Sequence, residues 1–398
     1  MSKRTLAALD PHRLDGQRVI VRVDFNVPMA DGVISDDTRI RAALPTVRYL
    51  RERGARVVLL SHLGRPKGTP EAKYSLRPLV RPLENLLGIP VTFIADPIGA
   101  DAPSLVRHMP RGGVALAENT RFYPGEEQND AALADAFAKL GDIYVNDAFG
   151  SAHRAHASTE AIAHRVKPAV SGFLMEKELR FLGDAVDHPK RPFVAILGGA
   201  KISGKIDLVE TLLPKVDRIL IGGAMACTFF KAMGLETGKS LVENDRVEMA
   251  RQLIAKAGDK LVLPTGGVIA QQLAAGVATR EVPRDGIPAD WAVFDIDSAS
   301  VKAFGAIIAT ASTVIWNGPM GVFETPPFDA GTLGVAHALA SATDRGAITI
   351  VGGGDSAAAI TAAGLESRVT HVSTGGGASL EFLEGKPLPG VAALDEAT

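Results

Sequence analysis

Eight residues in the first half of this 398-residue chain could grip a small polyanion: Asp24, Asn26, Arg39, His62, Arg65, Arg121, His153 and Arg154. Most follow apolar runs. Residues 19–23 lead into Asp24-Phe25-Asn26, residues 57–60 into Ser61-His62-Leu63-Gly64-Arg65, residues 114–117 into Glu118-Asn119-Thr120-Arg121, and residues 143–145 into Asn146-Asp147. Guanidinium and imidazole groups converging from separate strand ends offer forked donors that suit carboxylate and phosphate oxygens. His62, His153 and His156 have no supporting carboxylate or thiol at a metal-ligand spacing, so metal binding by these histidines is not expected.

The second half uses a different vocabulary. Of the 41 glycines, 27 lie beyond Pro189. Four turns, at Gly198, Gly222, Gly352 and Gly375, each stand between an apolar run and a small-residue helix. Glycine there lets backbone N–H groups and the helix dipole approach an anion closely, which points to a polyphosphate. The stretch Gly199-Ala200-Lys201-Ile202-Ser203-Gly204-Lys205 fits the G-x-x-x-x-G-K part of a P-loop. Ile206 stands where the metal-ligating hydroxyl belongs, so the match reads as chance. The metal ligand must come from elsewhere. Asp355, after a triple glycine, is the candidate, because Mg²⁺ on a nucleotide takes one or two carboxylates plus phosphate oxygens.

These residues need elements to hold them. Short apolar runs alternate with helical segments, such as 38–53 and 130–140, on both sides of the chain's midpoint. That predicts an α/β protein with two doubly wound, Rossmann-like parallel-sheet domains, with ligands at the carboxyl ends of the strands. Between them, residues 171–188 read as one amphipathic helix: Met175, Leu179, Leu182 and Val186 share a face, and Pro189 and Pro192 stop it. Substrate before this helix and nucleotide after it is the outline of a hinge-closing phosphotransferase. A P-loop NTPase switch and a two-domain solute-binding protein are the rival readings; Ile206 speaks against the first and the four glycine turns against the second.

Composition agrees with a globular protein: 46% hydrophobic, 22% charged, net charge −2. This balance argues against non-specific nucleic-acid binding. No apolar run of about 18 residues suggests a membrane span. The one cysteine, Cys227, excludes an internal disulfide and fits a reducing cytoplasm.

At the residue level the chain resembles phosphoglycerate kinases. The resemblance runs through Arg22-Val23-Asp24-Phe25-Asn26-Val27-Pro28, Ser61-His62-Leu63-Gly64-Arg65-Pro66, Glu118-Asn119-Thr120-Arg121-Phe122 and residues 146–156. It continues through residues 198–205, Gly222-Gly223-Ala224-Met225, residues 316–324 and the two late glycine turns. It implies reversible phosphoryl transfer from 1,3-bisphosphoglycerate to Mg·ADP, giving 3-phosphoglycerate and Mg·ATP. It implies phosphoglycerate binding by Asp24, Phe25, Asn26, Arg39, His62, Leu63, Gly64, Arg65, Arg121 and Arg154. Nucleotide binding falls to Lys201, Lys205, Asn317, Glu324, Gly353, Gly354, Asp355 and Ser356, with Glu324 at the ribose and Asp355 at the metal. The domains would be 1–170, a linking helix 171–188, 189–385, and a tail 386–398 returning to the first domain. A monomer is implied. Ser356 stands where the family usually has Thr, and Thr265-Gly266-Gly267 replaces a common Asp after Leu263-Pro264.

The chemistry needs no general base. The acceptor carboxylate, with an ordinary pKa of about 3.5–4, is ionised at pH 7. The difficulty is electrostatic: an anion must meet an anionic γ-phosphate in line. Arg39, Lys205, Mg²⁺ at Asp355 and the N–H groups of Gly375, Gly376 and Gly377 are the expected catalytic parts, each such donor being worth about 10²–10³ in rate.

Overall fold

The computed structural model describes residues 3–30 and 32–397. The chain divides into two compact units, one of Met1–Arg180 with Pro387–Thr398 and the other of Phe181–Lys386.

The first unit is built on strands β1 (Arg18–Arg22), β2 (Arg56–Leu60), β3 (Val91–Ile94), β4 (Val114–Ala117), β5 (Ile143–Asn146) and β6 (Ala169–Ser171). All pair in parallel in the order β3-β4-β2-β1-β5-β6, with Val19 opposite Val57 on one side and Ile143 on the other. Alternate residues feed two cores. Val19, Val21, Val57, Leu59 and Leu116 pack on one face with Ile40 and Val47 of the Thr38–Glu52 helix. Ile20, Val58, Leu60, Ala115 and Tyr144 pack on the other with Phe137 of the Ala131–Ala138 helix. A sheet covered on both faces is why these strands read as continuous apolar runs.

The second unit repeats the plan with β7 (Phe193–Leu197), β8 (Arg218–Ile221), β9 (Leu261–Val262), β10 (Thr313–Asn317), β11 (Ile348–Gly352) and β12 (His371–Val372). They are parallel in the order β9-β8-β7-β10-β11-β12. Beside this sheet stands a three-stranded antiparallel one formed by Gly266–Ala270, Arg280–Pro283 and Ala292–Ile296, which the sequence pattern does not announce.

In each unit the crossovers reverse direction at the centre: between β1 and β5, and between β7 and β10. Such switch points open a crevice beyond the strand ends. In the first unit Asp147 and the returning tail occupy the β5 side. Asn146 Nδ2 donates to Gly390 O at 2.9 Å, and Asp147 Oδ1 accepts from Leu174 N at 2.8 Å and Met175 N at 3.1 Å. The helix those amides begin spans Phe173–Asp187. Met175 and Leu182 are buried and Leu179 half-buried, and the division between units falls inside the helix, after Arg180.

Candidate functional site

In the first unit the loops after β1, β2 and β4 bring basic groups together around buried hydrogen bonds. Asp24, directly beyond β1, holds Arg39 of the Thr38–Glu52 helix through an ion pair of 2.8 Å. Asn26 Oδ1 accepts from Gly64 N at 2.8 Å, and Gly64 O accepts from Arg121 at 2.8 Å, tying three loops to one another. Asn119 turns the chain into Arg121 by accepting its N–H at 3.0 Å while donating to Leu63 O and Tyr74 O. Phe25 and Leu63 lie in the core, so these two can face a ligand only through their backbone. Arg65 and Arg154 are exposed; Arg154 contacts the His153 ring at 3.1 Å.

His62 is buried, and Arg22 reaches its Nδ1 at 3.1 Å. A guanidinium has no acceptor, so Nδ1 accepts and the ring proton sits on Nε2. Burial, then Arg22, Arg121, His156 and Arg39, hold the His62 pKa well below its ordinary value. Burial with Arg22, Arg121 and Arg154 likewise brings His156 down to about 3. Both rings are neutral donors in a field of positive charge, an arrangement that favours an anion.

Sequence spacing missed the support beneath this cluster. Arg22 is fully buried; its Nε donates to Ser158 Oγ at 2.8 Å, and Ser158 in turn donates through Oγ and N to the buried Glu126. The signal was present. An arginine inside the apolar run 19–23 must find partners or leave the core.

In the second unit the crevice beyond β7 and β10 holds Lys205, whose Nζ donates to Asn317 O at 2.7 Å and to Asn317 Oδ1. Burial brings this ammonium down to about 8 against the opposing pull of Asp355. Gly318 has φ +95, and a Cβ there would lie 2.3 Å from Gly198 O and 2.6 Å from Lys205 Nζ, so only glycine lets the two turns close on the lysine. Ser356 Oγ accepts from Gly318 N at 2.6 Å, while Asn317 Nδ2 is buried without a hydrogen-bond partner. An orphaned buried donor beside a lysine suits an anionic ligand. The P-loop reading fails on geometry as well: residues 202–204 form a bend and turn, and the helix starts only at Ile206.

Alongside runs a cleft of about 450 Å³, lined by Gly199, Gly223, Ala224, Phe230, Leu241, Val322, Glu324 and Asp355 among others. Of the expected nucleotide residues, Glu324 and Asp355 line it. Lys201, Lys205, Asn317, Gly353, Gly354, Ser356 and the turn of Gly375, Gly376 and Gly377 do not. Lys201 is exposed. Gly353 caps the Gly354–Ala362 helix, and Asp355 lies exposed in its first turn. Gly375 N donates to Ser373 Oγ at 3.1 Å, and Gly376 caps the helix Gly377–Leu383. The apolar lining was not readable from spacing. Its clearest marks, Leu241 and Leu273, are 51% and 48% exposed at the cleft. The Thr265-Gly266-Gly267 departure is accommodated locally: Thr265 N donates to Ser300 Oγ at 2.8 Å, and Gly266 lines the cleft.

The family model described as phosphoglycerate kinase matches residues 9–386. The phosphoglycerate kinase of Synechococcus elongatus is 55% identical over 100% of both chains, and the cytosolic phosphoglycerate kinase of Triticum aestivum 54% over 100% of both. The solved structure of phosphoglycerate kinase from Coxiella burnetii superposes with a TM-score of 0.88 at 41% identity, covering 98% of each chain. The chain belongs to the phosphoglycerate kinase family and moves a phosphoryl group reversibly between 1,3-bisphosphoglycerate and ADP, giving 3-phosphoglycerate and ATP.

Proposed function

We propose that the first unit holds the phosphoglycerate on Asp24, Asn26, Arg39, His62, Arg65, Arg121 and Arg154, and that the second holds the nucleotide on Lys205, Asn317, Glu324, Asp355 and the glycine turns. The observation that carries this division is the contrast between the two crevices. One gathers guanidinium groups and neutral imidazoles; the other sets a buried lysine and an orphaned amide beside an apolar cleft.

Mg²⁺ fits the second site, because an exposed carboxylate at the cleft supplies the single protein oxygen that a nucleotide-borne ion needs. Asp355 would hold it, and it would supply positive charge that offsets that of the phosphates. Lys205 and the backbone N–H groups of Gly376 and Gly377 hold the transferring oxygens from the nucleotide side, the Gly375 N–H being taken up by Ser373 Oγ. Arg39, oriented by Asp24, neutralises the acceptor carboxylate. Donor and acceptor are carried by different units, so in-line transfer requires a closure of the domains. We assign its bending to the ends of the Phe173–Asp187 helix, at Gly172 and the exit from Pro189 to Pro192.

We further propose a monomer acting in the cytosol on small molecules, without nucleic-acid or membrane partners. The net charge of −2 and the cytosolic relatives of wheat and tobacco support this, and no helix among the described residues is long and apolar enough to cross a membrane. Calorimetry on Asp355→Asn tests the division of labour: Mg·ADP affinity falls at least tenfold while 3-phosphoglycerate affinity is retained. Unchanged Mg·ADP affinity overturns it.

A further inference from the structure

We propose that Asp295 is a positioning residue that sets Glu324 against the nucleotide and so governs discrimination at the ribose. The inference rests on the assignment of Glu324 to the ribose made above. Asp295 lies in the antiparallel strand Ala292–Ile296, lines the cleft, and is almost wholly buried. Its two oxygens are spent on backbone: Oδ1 accepts from Ile296 N at 2.8 Å and Oδ2 from Gly331 N at 2.7 Å.

Gly331, in the first turn of the helix Ala330–Asp344, anchors the far end of the loop that carries Glu324. At the loop's other end, a Cβ on Gly321 would lie 2.3 Å from Asp295 Oδ1, and one on Gly331 would lie 2.2 Å from the same atom. Both ends of the segment 321–331 are therefore packed on one carboxylate, with no room for a side chain between them. Two further ties act at the same end: Thr332 Oγ1 accepts from Met320 N at 3.0 Å and Gly321 N at 3.2 Å, and Val322 N donates to Phe294 O at 2.9 Å. Glu324 itself is exposed and makes no side-chain hydrogen bond among the described residues, so its place depends on how this loop is pinned.

The choice of a carboxylate is informative. Burial pushes Asp295 up to about 7, with Asp329 and Glu281 adding to the rise and the two amide donors opposing it. Its two oxygens each accept from a backbone N–H, which asparagine cannot reproduce: its amide nitrogen would face one of the two N–H groups.

The test measures kcat and KM for ADP and for 2′-deoxyADP in wild type, Asp295→Asn, Thr332→Val, Glu324→Ala and the Asp295→Asn/Glu324→Ala pair. We expect Asp295→Asn to raise KM for ADP about tenfold, the scale of one buried donor left unpaired. Its kcat stays within about threefold of wild type, and its preference for ADP over 2′-deoxyADP falls to that of Glu324→Ala. In the Glu324→Ala background the same substitution adds little, because both act through one contact. Thr332→Val, which frees the Met320–Gly321 end of the same loop while keeping side-chain shape, moves the preference in the same direction and carries the test should Asp295→Asn not fold. If Glu324→Ala keeps the wild-type preference, the ribose assignment falls and the proposal with it. If Glu324→Ala loses the preference while Asp295→Asn and Thr332→Val keep it, the role of Asp295 alone is overturned, as it is by full additivity in the pair.

Discussion

Replacing Lys205 by methionine removes a cation whose charge the free protein barely supports. Burial has moved its pKa from 10.5 to about 8. Net of the opposing pull of Asp355, burying this charge costs on the order of 3 kcal/mol. A bound polyphosphate restores the opposite charge and drives the pKa back up, so binding takes up a proton wherever the free lysine lacks one. At pH 8 that is about half a proton per nucleotide, at pH 7 about a tenth, and above pH 8 the apparent affinity falls toward tenfold per unit. The assay is calorimetric titration of Mg·ADP at pH 8 in two buffers of different ionisation enthalpy, the difference in heat giving the protons taken up. Lys205→Met abolishes the uptake and weakens binding. The linkage has a second sign. A pKa lowered by folding means the unfolded chain binds more protons between about pH 8 and 10.5, so wild-type stability rises over that window relative to the variant. Zero uptake in wild type at pH 8, or equal uptake in Lys205→Met, refutes the reasoning.

Arg39→Ala is expected to lower kcat about 10²–10³-fold while sparing nucleotide affinity, and a coupled assay giving kcat within a few-fold of wild type removes Arg39 from the chemistry. Gly354→Ala meets no atom within 4 Å and stands at the first position of its helix, so it should leave stability unchanged or raise it by less than about 1 kcal/mol. The added methyl group lies where we place the phosphates, and Mg·ADP affinity should drop about tenfold or more; unchanged affinity moves the nucleotide elsewhere. His156, depressed on folding to about 3, supports the first unit fully above its unfolded pKa of about 6.5 and withdraws that support as pH falls. Between pH 6.5 and 5 the loss is about 2 kcal/mol, read by denaturant unfolding, and an identical pH slope in His156→Gln contradicts it.

The parallel sheets were legible because both their faces are covered: strands buried on two sides have to be apolar throughout, and they end where charged or glycine residues begin. The helix read as 171–188 spans Phe173–Asp187, its start displaced because Asp147, distant in sequence, supplies the accepting oxygen. Gly198, Gly222, Gly352 and Gly375 were legible for the same local reason, each standing at a strand end. What stayed hidden depends on contacts between distant residues. Arg22, Ser158 and Glu126 form one buried relay whose members carry no shared spacing, and Asp295 looks from sequence like one more surface acid. The antiparallel sheet escaped because Gly266-Gly267 reads as a turn but is the start of a strand.

The segment Pro387–Thr398 belongs to the unit that begins the chain. Within that unit Arg4 N donates to Asp395 O at 2.8 Å, Lys3 pairs with Glu396, and Ala393 and Leu394 sit in the core cluster of Ile20 and Tyr144. On the ribosome this imposes an order of events. The first unit's strands emerge early, yet its closing piece is translated only after the whole of Phe181–Lys386, a delay of roughly 10–40 s at about 5–20 residues per second. The second unit, continuous in sequence, can finish first. The nascent first unit must wait with one patch of its core uncovered, which makes it the vulnerable half during synthesis and the half a chaperone would be expected to hold.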